Sequence, residues 1–236
     1  MTFPEWKPPK SLSVVIPVYN EKKTLPVLLK RVENAPTLGL EREIIVVDDG
    51  STDGSREIMR TLGTPYQVIF HERNRGKGAA LRTGFRHATG DIILVQDADL
   101  EYSPEDYPHL LRPFIEDKAM VVYGSRFLPE SAVEAMSSMT KAANHVLTSV
   151  SNLFTGQGLT DVHTCYKVFR REILLQITLQ EERFAFCPEI TIKVSEIPGV
   201  RIREVGISYH GRTYEEGKKV GIKDGFRALW CYLKYS

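Results

Sequence analysis

The sequence predicts an α/β fold in which a mainly parallel sheet is flanked by helices. Short apolar runs alternate with amphipathic stretches of about ten residues, which is the pattern of βαβ units. Several of the apolar runs end abruptly in acidic, glycine-containing clusters, as strands do at the carboxyl edge of such a sheet. A length of 236 residues with 42% hydrophobic side chains suffices for a single domain, which we place at 11–236 after a flexible, proline-rich leader at 1–10.

The first half of the chain contains five predicted strands separated by helices or turns. The strands are predicted at 12–18, 43–47, 66–71, 91–95 and 120–124, and the helices at 24–33, 54–62, 79–87 and from Ser103 onward. The strand at 91–95 is apolar after its first residue and is bounded by Gly90 and an acidic cluster. We therefore expect it to be a central strand, buried on both faces.

After residue 130 the pattern becomes mainly helical. Apolar residues recur at helical spacing between 136 and 154, which predicts a long amphipathic helix. A strand followed by a helix is expected at 170–176, an edge strand at 201–209, and a polar, basic loop at 211–219. The chain closes with a short helix that has five apolar residues on one face: Ile222, Phe226, Leu229, Trp230 and Leu233.

The composition excludes several classes of protein. With 31 basic and 30 acidic residues, the net charge of +1 offers no general attraction for nucleic acid. The cysteines Cys165, Cys187 and Cys231 are too few and too scattered for a disulfide framework or a zinc site, so we expect free thiols. The first ten residues lack the apolar core of a signal peptide, and no apolar run is long enough to span a membrane. We expect a cytoplasmic protein.

Two aspartates follow the predicted central strand directly. Asp97 and Asp99 are separated by one residue, so in an extended backbone both side chains point to the same side. Carboxylate pairs of this kind suit Mg²⁺ or Mn²⁺, which commonly hold the phosphates of a substrate. A solvated turn is the alternative for an isolated pair.

A second acidic cluster, Asp48-Asp49-Gly50-Ser51, ends the strand at 43–47. In a parallel sheet it shares an edge with Asp97 and Asp99, and carboxylates this close repel one another unless a cation or hydrogen-bond donors lie between them. The base N–H and ribose hydroxyls of a nucleoside would supply such donors to Asp48. Helix capping is the alternative and fits Asp53 better than Asp48. Because no P-loop or serine-nucleophile motif is present, a metal–diphosphate site without a covalent nucleophile remains.

Several motifs, taken in order, resemble family 2 glycosyltransferases of the GT-A fold. In the first half these are Pro17-Val18-Tyr19-Asn20-Glu21, Asp48-Asp49-Gly50-Ser51-Thr52-Asp53, Asn74-Arg75-Gly76-Lys77-Gly78 and Gln96-Asp97-Ala98-Asp99-Leu100. Motifs of the second half resemble the dolichyl- or polyprenyl-phosphate mannose (or glucose) synthase branch: Gly124-Ser125-Arg126, Thr160-Asp161, Cys165-Tyr166-Lys167-Val168-Phe169-Arg170, Phe186-Cys187-Pro188-Glu189-Ile190, and Arg212-Thr213 with Glu216-Gly217-Lys218-Lys219.

The resemblance implies a mainly parallel sheet with a short antiparallel element and amphipathic helices in the second half. It implies a nucleotide-sugar-binding half at 11–128 and an acceptor-side half at 129–236. The donor site would comprise Pro17, Tyr19, Glu21, Val46, Asp48, Lys77, Asp97, Ala98, Asp99, Arg126, Arg212 and Lys218. Mg²⁺ or Mn²⁺ would be held by Asp97, Asp99 and Glu101, the last in place of a glutamine common in relatives. Asp99 and Arg126 would be the catalytic residues.

The reaction implied by the resemblance is inverting transfer of mannose or glucose from GDP-mannose or UDP-glucose to a polyprenyl or dolichyl phosphate. An acceptor phosphate is already anionic, so it requires charge control by a metal and by arginine or lysine rather than a strong base. A lipid acceptor also implies a peripheral position at the cytoplasmic face of a membrane and allows a membrane-anchoring partner protein. The C-terminal helix contains residue types suited to a membrane interface, namely Lys223, Arg227, Lys234, Phe226 and Trp230. Packing of this helix and of the one at 136–154 on their own domain is the alternative.

Two other readings stay open at this point. A family 2 enzyme that acts on a soluble sugar or a protein hydroxyl would need a general base, for which Glu189 and Asp161 are the candidates by position. A catalytically silent binding subunit would keep the fold but would be expected to lose Asp97, Asp99 or Arg126, and all three are present.

Overall fold

A seven-stranded sheet forms the core of residues 6–212 and 222–235, which are the residues that the computed structural model describes. Together with a separate two-stranded pair, the strands in chain order are β1 (Ser11–Val18), β2 (Glu41–Asp48), β3 (Tyr66–Phe70), β4 (Ile92–Val95), β5 (Val121–Ser125), β6 (Ala132–Glu134), β7 (Lys167–Arg170), β8 (Ile202–Gly206) and β9 (Ser208–His210). The five strands predicted in the first half are confirmed, with ends shifted by one or two residues.

The order of strands across the large sheet is β3-β2-β1-β4-β7-β5-β8. Every neighbouring pair is parallel except those made by β7, which runs antiparallel to both β4 and β5. The mainly parallel sheet with one antiparallel element is therefore confirmed. The strand β4 lies in the middle of the seven and is buried along its whole length, as its apolar run predicts.

The register of the parallel strands brings the carboxyl ends of three strands to one edge of the sheet. Val18, at the end of β1, pairs with Asp48 at the end of β2, and Val15 pairs with Val95 at the end of β4. Residues that follow these strands therefore lie side by side at the carboxyl edge of the sheet, where open α/β sheets bind their ligands. The acidic clusters share this edge.

Helices cover the sheet, and all of them except α7 agree with the predicted positions to within a few residues. In chain order they are α1 (Leu25–Asn34), α2 (Ser55–Arg60), α3 (Lys77–His87), α4 (Tyr107–Glu116), α5 (Ser138–Thr155), α6 (Arg171–Leu174), α7 (Phe186–Ser195) and α8 (Ile222–Tyr235). The long helix α5 begins at a Ser137 cap, whose hydroxyl accepts the Thr140 N–H, and ends at Gly156 in the left-handed conformation.

Three elements differ from the sequence expectations. The single edge strand expected at 201–209 is two strands: β8 pairs with β5, and the chain then leaves the sheet so that β9 pairs with β6. The strand β6 and the helix α7 were not predicted. Nearly every side chain of α7 is buried, so its sequence lacks the polar face that marks an amphipathic helix.

The apolar faces of α5 and α8 point outward rather than into the domain. In α5 the buried residues are polar, namely Asn144, Thr148 and Ser151, whereas the apolar Met139, Val146, Leu153 and Phe154 are exposed. In α8, Leu229, Trp230 and Leu233 are exposed while Ala228, Cys231 and Tyr232 are buried. The two helices touch, and the rings of Phe154 and Tyr232 stack. No helix among the described residues is long and apolar enough to cross a membrane.

Candidate active site

The turn at 97–99, directly after β4, lies at the carboxyl edge of the sheet. It is fixed by Gln96, a fully buried residue whose side-chain amide donates to the Asp97 carbonyl at 3.0 Å. The Oε1 atom of Gln96 accepts the hydroxyls of Tyr107 and Tyr166 at 2.9 and 2.8 Å. Because buried polar groups are costly to leave unpaired, this network holds the turn in one conformation.

Asp97 is paired with Lys77, the first residue of α3. The Lys77 ammonium lies 2.6 and 2.7 Å from the two carboxylate oxygens. Burial alone would lower the pKa of Lys77, but the Asp97 carboxylate outweighs it and the pKa lies above its ordinary value. Lys77 is therefore a charged ammonium beside the predicted diphosphate position.

Arg212 connects the turn at 97–99 to the end of β1. Its Nε donates to the Asp99 carbonyl at 2.7 Å, and its Nη2 lies 2.9 Å from Glu21 Oε2 and 4.0 Å from Asp99 Oδ2. Its backbone N–H donates to Glu101 Oε1 at 2.9 Å. The structure thus brings together four of the predicted site residues, three carboxylates and one guanidinium, around this turn.

Glu101 is held by Tyr209 of the strand β9 and by Arg212, which lies two residues after this strand. Its Oε2 accepts the Tyr209 hydroxyl at 3.1 Å, in addition to the Arg212 N–H on Oε1. Burial raises the pKa of Glu101 above its ordinary value, against these hydrogen bonds. Both oxygens of this carboxylate therefore already have protein partners.

No group of three or more acidic, histidine or cysteine side chains within 6–212 and 222–235 is arranged to hold a metal ion. The structure thus does not bring Asp97, Asp99 and Glu101 together as a set of ligands. Asp97 and Asp99 nonetheless fit Mg²⁺ or Mn²⁺, because both are hard oxygen ligands at the rim, with 17% and 26% of their side chains exposed. The metal assignment stays a prediction.

The second acidic cluster is divided between two roles. Asp48 is fully buried, accepts the Gly50 and Ser51 N–H groups at 3.2 Å and lies 3.6 Å from Arg56. Its neighbour Asp49 instead binds the loop before α3: the carboxylate accepts the N–H groups of residues 75 and 76 at 3.0 and 2.7 Å. His71 Nδ1 and Asn74 Nδ2 also contact it, at 2.8 and 3.0 Å. Asp49 therefore fixes the loop that leads to Lys77.

The other residues predicted to bind the sugar donor differ in exposure and in their distance from the carboxyl edge. Pro17 and Tyr19 are partly exposed at the end of β1, and Ala98 is buried within the turn. Val46 has no exposed surface and lies inside β2, two residues before the strand ends, so the structure places it in the core rather than at the edge. Lys218 lies outside the described residues.

The glycines of the Asn74–Gly78 motif allow another segment to approach closely. A Cβ atom on Gly76 would lie 2.3 Å from the Glu182 carbonyl oxygen, and one on Gly78 would lie 2.3 Å from that of Glu181. Gly76 also has a φ of +96°, which favours glycine. Tight packing against residues 181–182 thus fixes the start of α3.

Arg126 is buried against Asp161. Its Nε and Nη2 atoms donate to the two carboxylate oxygens at 2.7 and 2.8 Å, and its backbone N–H donates to Oδ2 at 3.1 Å. Burial alone would raise the pKa of Asp161, but the guanidinium outweighs it and the pKa lies below its ordinary value. The guanidinium also lies 5.0 Å from the centre of the Tyr209 ring. Direct phosphate contact by Arg126 stays a prediction.

Neither carboxylate that the sequence offers as a general base is accessible. Asp161 is fully buried in its pair with Arg126. Glu189 is also fully buried in α7, where it accepts the N–H groups of Gln180 and Glu181 at 2.6 and 2.8 Å and pairs with Lys193 at 2.7 Å. Both carboxylates therefore hold the fold together and are not placed to accept a proton from a substrate.

Sequence reasoning missed two buried residues that hold the loops of the site in place. Gln96 and Asp49 were noted only as members of motifs, although both are buried and fully hydrogen-bonded. A polar residue directly after an unbroken apolar strand was the available signal, because such a position is buried and needs partners.

Comparisons with known proteins agree with this geometry. A sequence model of Glycosyl transferase family 2 matches residues 13–178. The undecaprenyl-phosphate 4-deoxy-4-formamido-L-arabinose transferases of two Klebsiella pneumoniae strains, 342 and ATCC 700721 / MGH 78578, are each 34% identical over 193 residues. Each match covers 80% of this chain and 56% of the relative. The chain thus spans about half the length of the curated relatives it matches.

Among solved structures, glucosyl-3-phosphoglycerate synthase from Mycobacterium tuberculosis is similar with a TM-score of 0.73 and 20% sequence identity. The match covers 96% of this chain and 80% of the synthase, whose structure contains Mn²⁺, UDP and glucosyl-3-phosphoglycerate. Another structure of this synthase contains Mg²⁺ and UDP and is 19% identical. At these identities the likeness concerns the fold, and the predicted GT-A fold is confirmed.

Proposed function

The chain belongs to glycosyl transferase family 2. We propose that it is a glycosyltransferase that transfers mannose or glucose from a nucleotide-sugar to a polyprenyl phosphate. The acceptor class is supported by the curated relatives, whose name includes undecaprenyl phosphate. Their sugar is 4-deoxy-4-formamido-L-arabinose, so the relatives leave the choice of sugar to experiment. The uridine diphosphate in the similar solved structures supports a nucleotide-sugar donor.

The observation that carries the choice of acceptor is the burial of Asp161 and Glu189. A hydroxyl acceptor needs a base within hydrogen-bond reach, and both candidate bases are enclosed and paired. An acceptor phosphate is already a nucleophilic anion at neutral pH, so it needs positive charge that brings it to the donor. Lys77 and Arg212 place positive charge at the carboxyl edge, where the donor diphosphate and the acceptor phosphate would meet.

We further propose that Asp97 and Asp99 hold Mg²⁺ or Mn²⁺, which when bound would supply positive charge to the leaving diphosphate. The charges at the edge support this proposal: the carboxylates of Glu21, Asp97, Asp99 and Glu101 face the cations Lys77 and Arg212. Lys77 would hold a phosphate oxygen from the side of α3, while Arg212 would keep Glu21 and the turn at 97–99 in place. The turn itself is oriented from behind by Gln96.

The experiment that tests the acceptor uses labelled UDP-glucose and GDP-mannose in parallel, each with Mn²⁺. Each donor is offered either a polyprenyl phosphate in detergent or a set of water-soluble sugars and peptides. We expect label in the organic phase with one donor and loss of that product when EDTA replaces Mn²⁺. Product confined to the aqueous phase would contradict the lipid acceptor while leaving the family assignment intact.

A lipid acceptor also places the protein at a membrane surface, and the exposed faces of α5 and α8 support this. Leu153 and Leu233 expose 82% and 72% of their surface, an arrangement that is costly in water. Trp230 is flanked by the basic groups of Arg227 and Lys234, which lie 4.4 and 5.0 Å from the centres of its rings. Apolar side chains combined with tryptophan and basic residues are typical of interfacial helices.

Vesicle binding measures how much the exposed apolar side chains of α8 contribute to membrane contact. We expect Leu233→Glu in α8 to weaken binding to vesicles with anionic lipid at least about tenfold, because burying a leucine side chain contributes roughly 1.5–3 kcal/mol. Val27→Glu is the matched control, since Val27 is an apolar residue exposed by 51% on α1, outside the two helices. Equal binding by Leu233→Glu and the wild type would contradict the proposed face. If the wild type fails to bind vesicles, a membrane-anchoring partner protein explains the exposed faces better.

A further inference from the structure

Glu181 is a buried carboxylate that binds two basic side chains of α8. Arg227 donates to it through Nε and Nη2 at 3.0 and 3.1 Å, and Lys234 Nζ lies at 3.1 Å. The Tyr235 hydroxyl donates to it at 3.0 Å. The Glu181 side chain is only 5% exposed, whereas Arg227 and Lys234 expose 52% and 31% of theirs, so water screens these contacts from the side of the cations only. One carboxylate thus holds the last two turns of α8.

The backbone around Glu181 packs against the start of α3. Its carbonyl oxygen accepts Arg82 Nη1 at 2.7 Å and occupies the space beside Gly78. The next carbonyl, that of Glu182, accepts the Ala79 N–H at 3.2 Å and fills the space beside Gly76. Both glycines are in van der Waals contact with this segment, so a displacement of 181–182 must displace the loop at 76–79.

The residue between the two glycines is Lys77, whose ammonium contacts both oxygens of Asp97. A continuous set of contacts therefore runs from the basic side chains of α8, through Glu181 and the backbone at 181–182, to the start of α3 and the turn at 97–99. The far end of α3 does not share these contacts. The path is short, since one residue carries both the carboxylate that binds α8 and the carbonyl that packs on Gly78.

We propose that Glu181 is a positioning residue that ties α8 to the loop of Lys77 and so makes binding of the donor diphosphate depend on the position of α8. The proposal rests on the proposed function in that the ligand of Lys77 is the diphosphate of a nucleotide-sugar. If α8 docks on a lipid surface, the same contacts would transmit docking to the donor site. Binding of the surface that carries Trp230 and Leu233 to a membrane would then affect the position of Lys77.

The test compares Glu181→Gln with the wild type in the full chain. Glutamine keeps the size of the side chain but removes the charge that holds Arg227 and Lys234. We expect UDP or GDP, whichever binds the wild type with Mn²⁺, to bind Glu181→Gln about tenfold more weakly. Backbone hydrogen exchange at 74–80 is expected to accelerate as well. The matched control is Glu116→Gln, which likewise removes a carboxylate paired with an arginine, because Glu116 lies 3.6 Å from Arg112 on another surface.

A double-mutant cycle separates positioning from general loosening of the fold. If Glu181 acts through Lys77, Glu181→Gln should weaken nucleotide binding less than about twofold in a Lys77→Met background. Wild-type protection at 74–80 in Glu181→Gln, together with faster exchange in α8, would overturn the proposal. So would an equal loss of binding in both backgrounds.

These measurements need neither acceptor nor turnover. If no lipid-linked product forms while the cycle shows coupling, the proposed acceptor fails and the inference stands. If neither nucleotide binds the wild type, hydrogen exchange at 74–80 in Glu181→Gln decides the inference by itself.

Discussion

Asp99→Asn is expected to reduce turnover by at least ~10²-fold, the cost of removing one electrostatic contact that acts on developing charge. Asparagine keeps the shape of the side chain, and its oxygen can still accept the Glu101 N–H that Asp99 Oδ1 accepts at 3.1 Å. The lost negative charge would weaken the hold on a divalent cation and, through it, on the leaving diphosphate. The turn itself should persist, because Gln96 and Arg212 bind its backbone.

Asp91→Asn is the matched control for this variant. Asp91 precedes β4 and Asp99 follows it, so the two aspartates lie at opposite ends of the same strand. Asp91 is exposed, and its Oδ2 accepts the Lys10 N–H at 2.7 Å. Steady-state turnover with saturating donor and Mn²⁺ should be close to that of the wild type for Asp91→Asn. Melting temperatures of both variants would verify folding, and full turnover by Asp99→Asn would remove the metal-site assignment.

Most strands and helices could be predicted in chain order because each of them leaves a local signal in the sequence. The apolar runs and their terminal acidic clusters identify the strands of the first half and the shared carboxyl edge. The same logic places Asp97 and Asp99 at this edge, because a D-x-D sequence that closely follows a buried parallel strand lies at the carboxyl end of the sheet. Short strands such as β6 and a fully buried helix such as α7 lack periodicity and are recognised only from their tertiary neighbours.

The helices α5 and α8 show why the periodicity of apolar residues alone does not determine which face of a helix is buried. Helical spacing of apolar residues reveals that a helix has two faces but not which face the domain buries. In α5 the buried face carries Asn144, Thr148 and Ser151, while Leu153 lies outward. The pattern therefore indicates the helix correctly, and the structure adds that its apolar side is available to a partner or a lipid.

Ion pairs between distant residues were equally inaccessible to the sequence. Arg126 and Asp161 are 35 positions apart, and Glu181 and Arg227 are 46 apart. Each pair changes the role that is assigned to a residue. Asp161 is a candidate base by sequence and a buried counterion in the structure, and Glu181 is a loop residue that binds α8. The types of charge at the site follow from motifs, whereas their pairing follows only from the fold.

Asp161→Asn is expected to lower the free energy of unfolding by about 3–5 kcal/mol, because it leaves the buried Arg126 guanidinium without its counterion. The carboxylate accepts three hydrogen bonds from Arg126, and both side chains are at most 6% exposed. Its folded-state pKa lies below the ordinary value of 3.8, so the pair stabilises the wild type above that pH. This stability is lost as the pH falls through the lower, folded-state pKa.

Urea unfolding of Asp161→Asn and Asp117→Asn at neutral pH would measure the effect. Asp117 pairs with Arg203 at 2.9 Å with about half of each side chain exposed, so Asp117→Asn should cost no more than ~1 kcal/mol. The comparison also decides between two roles for Asp161. A counterion is required for stability, whereas a general base would be required only for turnover. Wild-type stability combined with abolished turnover in Asp161→Asn would restore the hydroxyl-acceptor reading, and the expected loss of stability would assign Asp161 to the counterion role.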